Sequence, residues 1–181
     1  MFHVTSRHVT SRHDCALRYG LSDLNENGSE MTMTPYDMIK AHLDIAVPFA
    51  TFVGVTLLEI GDGHASAELE QRDEVSNHIK SMHAGAMFTL GEAASGAAMA
   101  GALAPVILEM RPVAAVANIS FKKVAIGKLT AYAKTSETGE ALMQSLKQDG
   151  KVAFDVLVDI QDASGDTVVD MTVNWHVSAK R

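Results

Sequence analysis

Between Met82 and Leu108 the chain carries one formal charge, Glu92. The run is too long for a strand, and its Ala, Met and Leu content favours helix. Gly91, Gly96 and Gly101 each cost about 1 kcal/mol relative to Ala inside a helix. Their presence points to a smooth face that other parts of the chain approach closely. A helix that is apolar on all sides is a buried one. The stretch therefore predicts a central helix wrapped by the rest of the chain, with a lone carboxylate in an apolar setting. A membrane span is disfavoured. Ala and Gly are weakly apolar, and a mid-span acid costs about 2.5–3.5 kcal/mol on insertion scales. No Trp/Tyr belt flanks the run.

The flanking segments supply the wrapping. Thr34-Pro35-Tyr36-Asp37 reads as a helix start, with Thr at the N-cap, Pro at N1 and an acid at N3. That helix should run to about Ala46, stop before Pro48, and sit as a lid or packing helix on the core. Phe52–Ile60 and His64–Glu70 read as antiparallel strands joined at Gly61-Asp62-Gly63. Residues 71–82 form a polar loop, and Pro105 and Pro112 frame a connection after the central helix. Further strands are expected at Ala114–Val124, Lys128–Thr138, Lys151–Gln161 and Thr167–Val177, with one or two helical turns at Glu140–Gln148. The order α-β-β-α-β-β-β-β predicts an α+β fold, one antiparallel sheet curled around the long helix. Such a sheet leaves an open edge, which makes a homodimer or homotetramer the expected state.

At 181 residues, one domain is expected. A net charge of −7 argues against nucleic-acid binding, which needs a basic face. Cys15 is the single cysteine, so no internal disulfide can form, in keeping with a reducing, cytoplasmic setting. Residues 1–33 differ from the rest: His-Val-Thr-Ser-Arg occurs in tandem at 3–7 and 8–12. No apolar run there suits a secretory signal. His3, His8 and His13 are spaced by five, which does not stack on a helix face, so no metal site is read from them. The segment reads as a disordered tail, and residues 34–181 as the folded domain.

The motif that narrows function is Asn77, then His83-Ala84-Gly85, then Phe88-Thr89-Leu90-Gly91-Glu92. In this register it resembles the hotdog-fold acyl-CoA thioesterases of the phenylacetate-pathway type. Those carry Asn, five residues, His-Gly-Gly, six residues and an acid. The strand Ala117-Asn118-Ile119-Ser120-Phe121 and the hairpin at Asp162–Asp166 also look like that family, so the resemblance spans about residues 50–178. The chain departs from the pattern at Ala84, which replaces the first glycine after the histidine. It departs again at Ala114 and Ala115, near where some relatives hold a water with Ser or Thr. The resemblance implies hydrolysis of an acyl-CoA thioester with no cofactor, at a site shared between two subunits.

Thioester hydrolysis needs a polarised carbonyl and an activated water or a nucleophile. A helix amino terminus offers free N–H groups and a positive dipole to a developing oxyanion. If the helix begins near His83, the N–H of Ala84 or Gly85 stands there. Glu92 would be the general base or the nucleophile, its pKa raised by burial. His83 and Glu92 are nine residues apart, about 180° around a helix and 13–14 Å along it. They do not easily share a site within one chain, but a twofold partner could bring them together, with Asn77 orienting Glu92 or the water.

Several residues keep two readings. His83 also suits a helix-start hydrogen bonder, and Asn77 a loop turn residue. Lys122, Lys123 and Lys128 read either as exposed strand-end charges or as contacts for coenzyme A phosphates on an otherwise acidic protein. Phe88, with Met87 and Met99, reads as core or as the lining of an acyl pocket. A hotdog hydratase and a non-catalytic acyl-CoA-binding protein remain as rival functions.

Overall fold

The computed structural model describes residues 33–180. Apart from Met33, the segment expected to be a tail lies outside the described residues. Helix α1, Pro35–Ala46, opens with Thr34 at the N-cap and Pro35 at N1 as expected, and Thr34 and Asp37 close a capping box. The Asp37 N–H donates to Thr34 Oγ1, and the Thr34 N–H donates to the Asp37 carboxylate. Together these satisfy two helix-end donors that would otherwise lack partners.

The expected first strand is displaced. Its leading residues belong to a short helix α2, Pro48–Val53, and strand β1 is Thr56–Gly61. Pro48 at the first helical position presets φ, and Gly54 (φ 92°) closes the turn in the left-handed region, its N–H donating to Ala50 and Thr51 carbonyls. The β-branched and aromatic content of 52–60 suggested a strand, but this local capping outweighs it.

Strand β2, His64–Leu69, pairs antiparallel with β1. The central helix α3 runs from Ala84 to Ala102. Next come β3 (Met110–Phe121), β4 (Leu129–Thr135), α4 (Gly139–Asp149), β5 (Lys151–Asp162) and β6 (Thr167–Ala179). Helix α4 is eleven residues long, more than the one or two turns expected, because Thr138 caps its start and Gly150 (φ 68°) its end. Strand β3 starts at Met110, so Pro112 lies inside it rather than framing a connection. The missing N–H is tolerated because β3 is an edge strand.

The sheet is six-stranded and antiparallel, in the order β1-β2-β4-β5-β6-β3. It curls around α3, which packs against β1, β2, β4, β5 and β6. Leu90 on α3 and Val156, Ile160 and Val173 on the sheet are fully buried. Each such aliphatic side chain is worth about 1.5–3 kcal/mol relative to exposure. The helix glycines lie where contact is closest: a Cβ at Gly101 would stand 2.1 Å from the Gly61 carbonyl oxygen. Ser95 is buried, donates to the Glu92 carbonyl at 2.7 Å and accepts from Trp175 Nε1 at 3.2 Å. That pair of bonds ties the middle of α3 to β6. No described helix is long and apolar enough to cross a membrane.

Candidate active site

Helix α3 sets out the candidate residues. Its outward stripe, at helical spacing, is Gly85, Phe88, Glu92 and Gly96, exposed or half-buried while their neighbours pack on the sheet. The start of the helix is held by two loops. The His83 N–H donates to Val75 O, and the Met82 N–H to Ala125 O, each at 2.8 Å. Gln71 extends the bracing, accepting from the Gly127 N–H and donating to Ser76 Oγ and Lys80 O.

His83 is the N-cap, and its Nδ1 accepts from the Gly85 N–H at 2.9 Å. This places the imidazole proton of the neutral form on Nε2. It also takes up the Gly85 N–H, one of the two expected oxyanion donors. The Ala84 N–H has no partner among the described residues and is the donor left at the helix start. Asn77 is committed to its own loop. Its carbonyl accepts from the Ile79 and Ser81 N–H groups, and its amide donates to Ser81 Oγ at 2.8 Å.

Glu92 is half-buried, and burial pushes its carboxyl above the ordinary range. No hydrogen bond or ion pair reaches that carboxylate among the described residues. It lies at the junction of two hollows. The smaller, about 370 Å³, is lined by Phe49, Phe88, Thr89, Ala114–Ala117 and Val173. The larger, about 870 Å³, runs under α1 and α2 past Gly96, Ala100 and Trp175. The structure thus joins Phe88 and Glu92 in one hollow. Asn77, His83, Ala84 and Gly85 stand at the helix start and line neither.

Ala114 and Ala115 do face the Glu92 hollow, beside an irregularity in the β3–β6 pairing between Ala114 and Val116. They bring no hydroxyl, but Thr89 does. Thr89, which the sequence did not single out, lines the hollow, and its hydroxyl donates to Gly85 O at 2.9 Å. Phe49 and Trp175 also went unnoticed, since each comes from an element remote from the motif.

The three lysines are already paired. Lys122 bridges to Asp170 and Lys123 to Asp166, each at 2.7 Å, and Lys128 bridges to Glu68. All are about half-exposed, where such pairs contribute about 0–1 kcal/mol. The exposed, strand-end reading thus describes their resting state. The Glu68 carboxylate beside it holds the Lys128 ammonium above its usual range.

Strand β3 is unpaired on its outer edge among the described residues. Val113, Val116 and Phe121 are about half-exposed on it. An apolar, twelve-residue free edge is a template for another strand.

The fold has many relatives among solved structures. A probable thioesterase of unknown function from Pseudomonas aeruginosa superposes with a TM-score of 0.67 at 19% identity, covering 84% of this chain and 100% of that one. A hypothetical thioesterase from Streptococcus pneumoniae, solved with coenzyme A, gives 0.59 at 20%, covering 78% and 98%. The Escherichia coli PaaI protein, from the phenylacetic acid degradation operon, gives 0.58 at 20%, covering 80% and 99%. The curled sheet around its helix is the hotdog fold of these proteins, as the sequence resemblance implied. No curated protein matches the sequence. A family model described as a domain of unknown function, DUF4442, matches residues 36–177, nearly all of the described chain, and the protein belongs to that family.

Proposed function

We propose that the protein hydrolyses acyl-CoA thioesters at a site shared between two subunits. The observation that carries this reading is Glu92: one unpaired, half-buried carboxylate on the central helix of a hotdog fold, where two apolar hollows meet. The presence of coenzyme A in the fold relative from Streptococcus pneumoniae supports the choice of thioester.

In this reading two copies join along β3, and the start of α3 from one faces Glu92 of the other. The thioester oxygen sits at the Ala84 N–H, where the helix dipole favours the negative charge that develops. Ionised Glu92 acts either as the base toward a water or as the nucleophile itself. Along the base route Glu92 takes a proton from the water, whose oxygen bonds to the carbonyl carbon. The C–S bond then breaks, and the leaving thiolate receives the proton. Asn77 and His83 hold the helix-start loop in shape, and Lys122, Lys123 and Lys128 exchange their carboxylate partners for coenzyme A phosphates.

The test is Glu92→Gln, followed by free-thiol release from a panel of acyl-CoAs. Glutamine keeps the shape and removes the charge, so kcat should fall at least about a hundredfold, the scale of a lost acid/base group. Hydrolysis at the native rate would refute the assignment. Light scattering of the native protein should give a dimer or larger. A monomer at micromolar concentration would rule out the shared site.

A further inference from the structure

We propose that the larger hollow is an acyl-chain site that selects aliphatic chains of about ten carbons or more, laid along α3 from Glu92 toward Ala104. The proposal rests on the thioesterase reading and names its substrate class. One wall is the α3 stripe Glu92, Gly96 and Ala100, which continues past the helix end to Ala104. Its small side chains leave room for a ligand. Met38 and Leu43 on α1 form the facing wall, and the Trp175 ring closes the side next to Gly96.

The length follows from the helix. Eight residues separate Glu92 from Ala100, about 12 Å at 1.5 Å per residue. An extended chain spans about 3.3–3.6 Å for every three bonds, so about ten bonds fill that distance. The hollow runs on to Ala104 and Leu108, so longer chains also fit. At about 870 Å³ it stands near the upper end of ligand pockets, which hold roughly 300–1,000 Å³. A short or aryl acid would leave most of this apolar wall uncovered.

The polar groups on the lining do not compete for the chain. Asp44 is paired with Lys40, Lys180 donates to Leu108 O, and His42 and Arg111 are exposed at the rim. Glu92 lines both hollows, so a thioester placed there sends its acyl chain into the larger one and its carrier toward Phe88 and the helix start.

Trp175 is the only tryptophan and forms part of the wall, which makes it the reporter. Its fluorescence is followed in Glu92→Gln while acyl-CoAs from acetyl to palmitoyl, and phenylacetyl-CoA, are added. The dissociation constant should fall about fourfold per added methylene up to at least ten carbons. Ala104→Phe blocks the far end and should weaken palmitoyl binding at least about tenfold relative to butyryl. Met38→Asp, on an exposed wall position that folding tolerates, should do the same. Equal binding of butyryl and decanoyl-CoA, or phenylacetyl-CoA binding as tightly as decanoyl-CoA, overturns the proposal. Native hydrolysis without length dependence refutes the acyl site alone. Length-dependent binding without native hydrolysis upholds the acyl site and refutes the thioesterase reading.

Discussion

The same substitution, Gly→Ala, should change stability with opposite sign at two positions on α3. Alanine gains about 1 kcal/mol over glycine inside a helix wherever the added methyl has room. At Gly96 the new Cβ meets only the Trp175 ring, at 3.4 Å, an ordinary contact. Gly96→Ala should therefore stabilise by about 1 kcal/mol, raising Tm by about 2–4 °C for a chain of this size. At Gly101 the Cβ would lie 2.1 Å from the Gly61 carbonyl oxygen and 3.0 Å from Ile60 Cγ2. Backbone cannot swing aside, so helix and hairpin must part by more than an ångström. Overpacking of this kind costs about 1–3 kcal/mol, and rigid backbone puts the cost at the upper end. Net of the helix gain, Gly101→Ala should lose about 2 kcal/mol. Gly91 falls between them: its Cβ would press on Met171 Sδ at 2.7 Å, the movable end of a flexible side chain, so the change should be small. Urea unfolding followed by circular dichroism measures all three. Equal shifts at Gly96 and Gly101 would refute the close approach of α3 to the β1–β2 turn.

Glu92→Gln should be more stable than the native protein at neutral pH. Burial holds the folded-state pKa of Glu92 above its unfolded value. The stability of the native protein is thus full below the unfolded pKa and is partly lost as pH rises through the folded pKa. Glutamine escapes that loss, so the difference in Tm should shrink in acid; a constant difference would exclude Glu92 as its source. For the same reason hydrolysis should decline on acidification at a pH above the ordinary carboxylate range, and a profile flat through that range would count against an ionised Glu92. If Glu92→Gln is mixed with Ala84→Pro, which removes the remaining oxyanion donor at the first helical position, and subunits exchange, activity should return toward about a quarter of native, because half the dimers are mixed and each has one intact site. Exchange without recovery would put both groups in one chain. Asp166→Asn with Asp170→Asn frees Lys123 and Lys122 and should lower KM for acyl-CoA by up to about fivefold. An unchanged KM would leave these lysines as strand-end charges.

Several features were legible because they are local. The central helix follows from a long run of Ala, Met and Gly with a single charge, and α1 from Thr34, Pro35 and Asp37, which satisfy one another within a turn. The antiparallel strands and the special position of Glu92 followed from the same kind of reading. Other features were hidden behind competing local signals or depend on where remote segments meet. Phe52 belonged to a strand by composition, but the Pro48 start and Gly54 cap made its segment a helix. Pro112 reads as a breaker until the sheet order shows that its missing N–H faces an unpaired edge. The lysines meet their carboxylates only through strand register and loop approach, and Gly85 N–H is taken only once His83 turns back on it. The two hollows flanking Glu92 are spaces between α1, α2, α3, β3 and β6. No residue encodes them alone, because a cavity is set by how elements far apart in sequence fail to fill the volume between them.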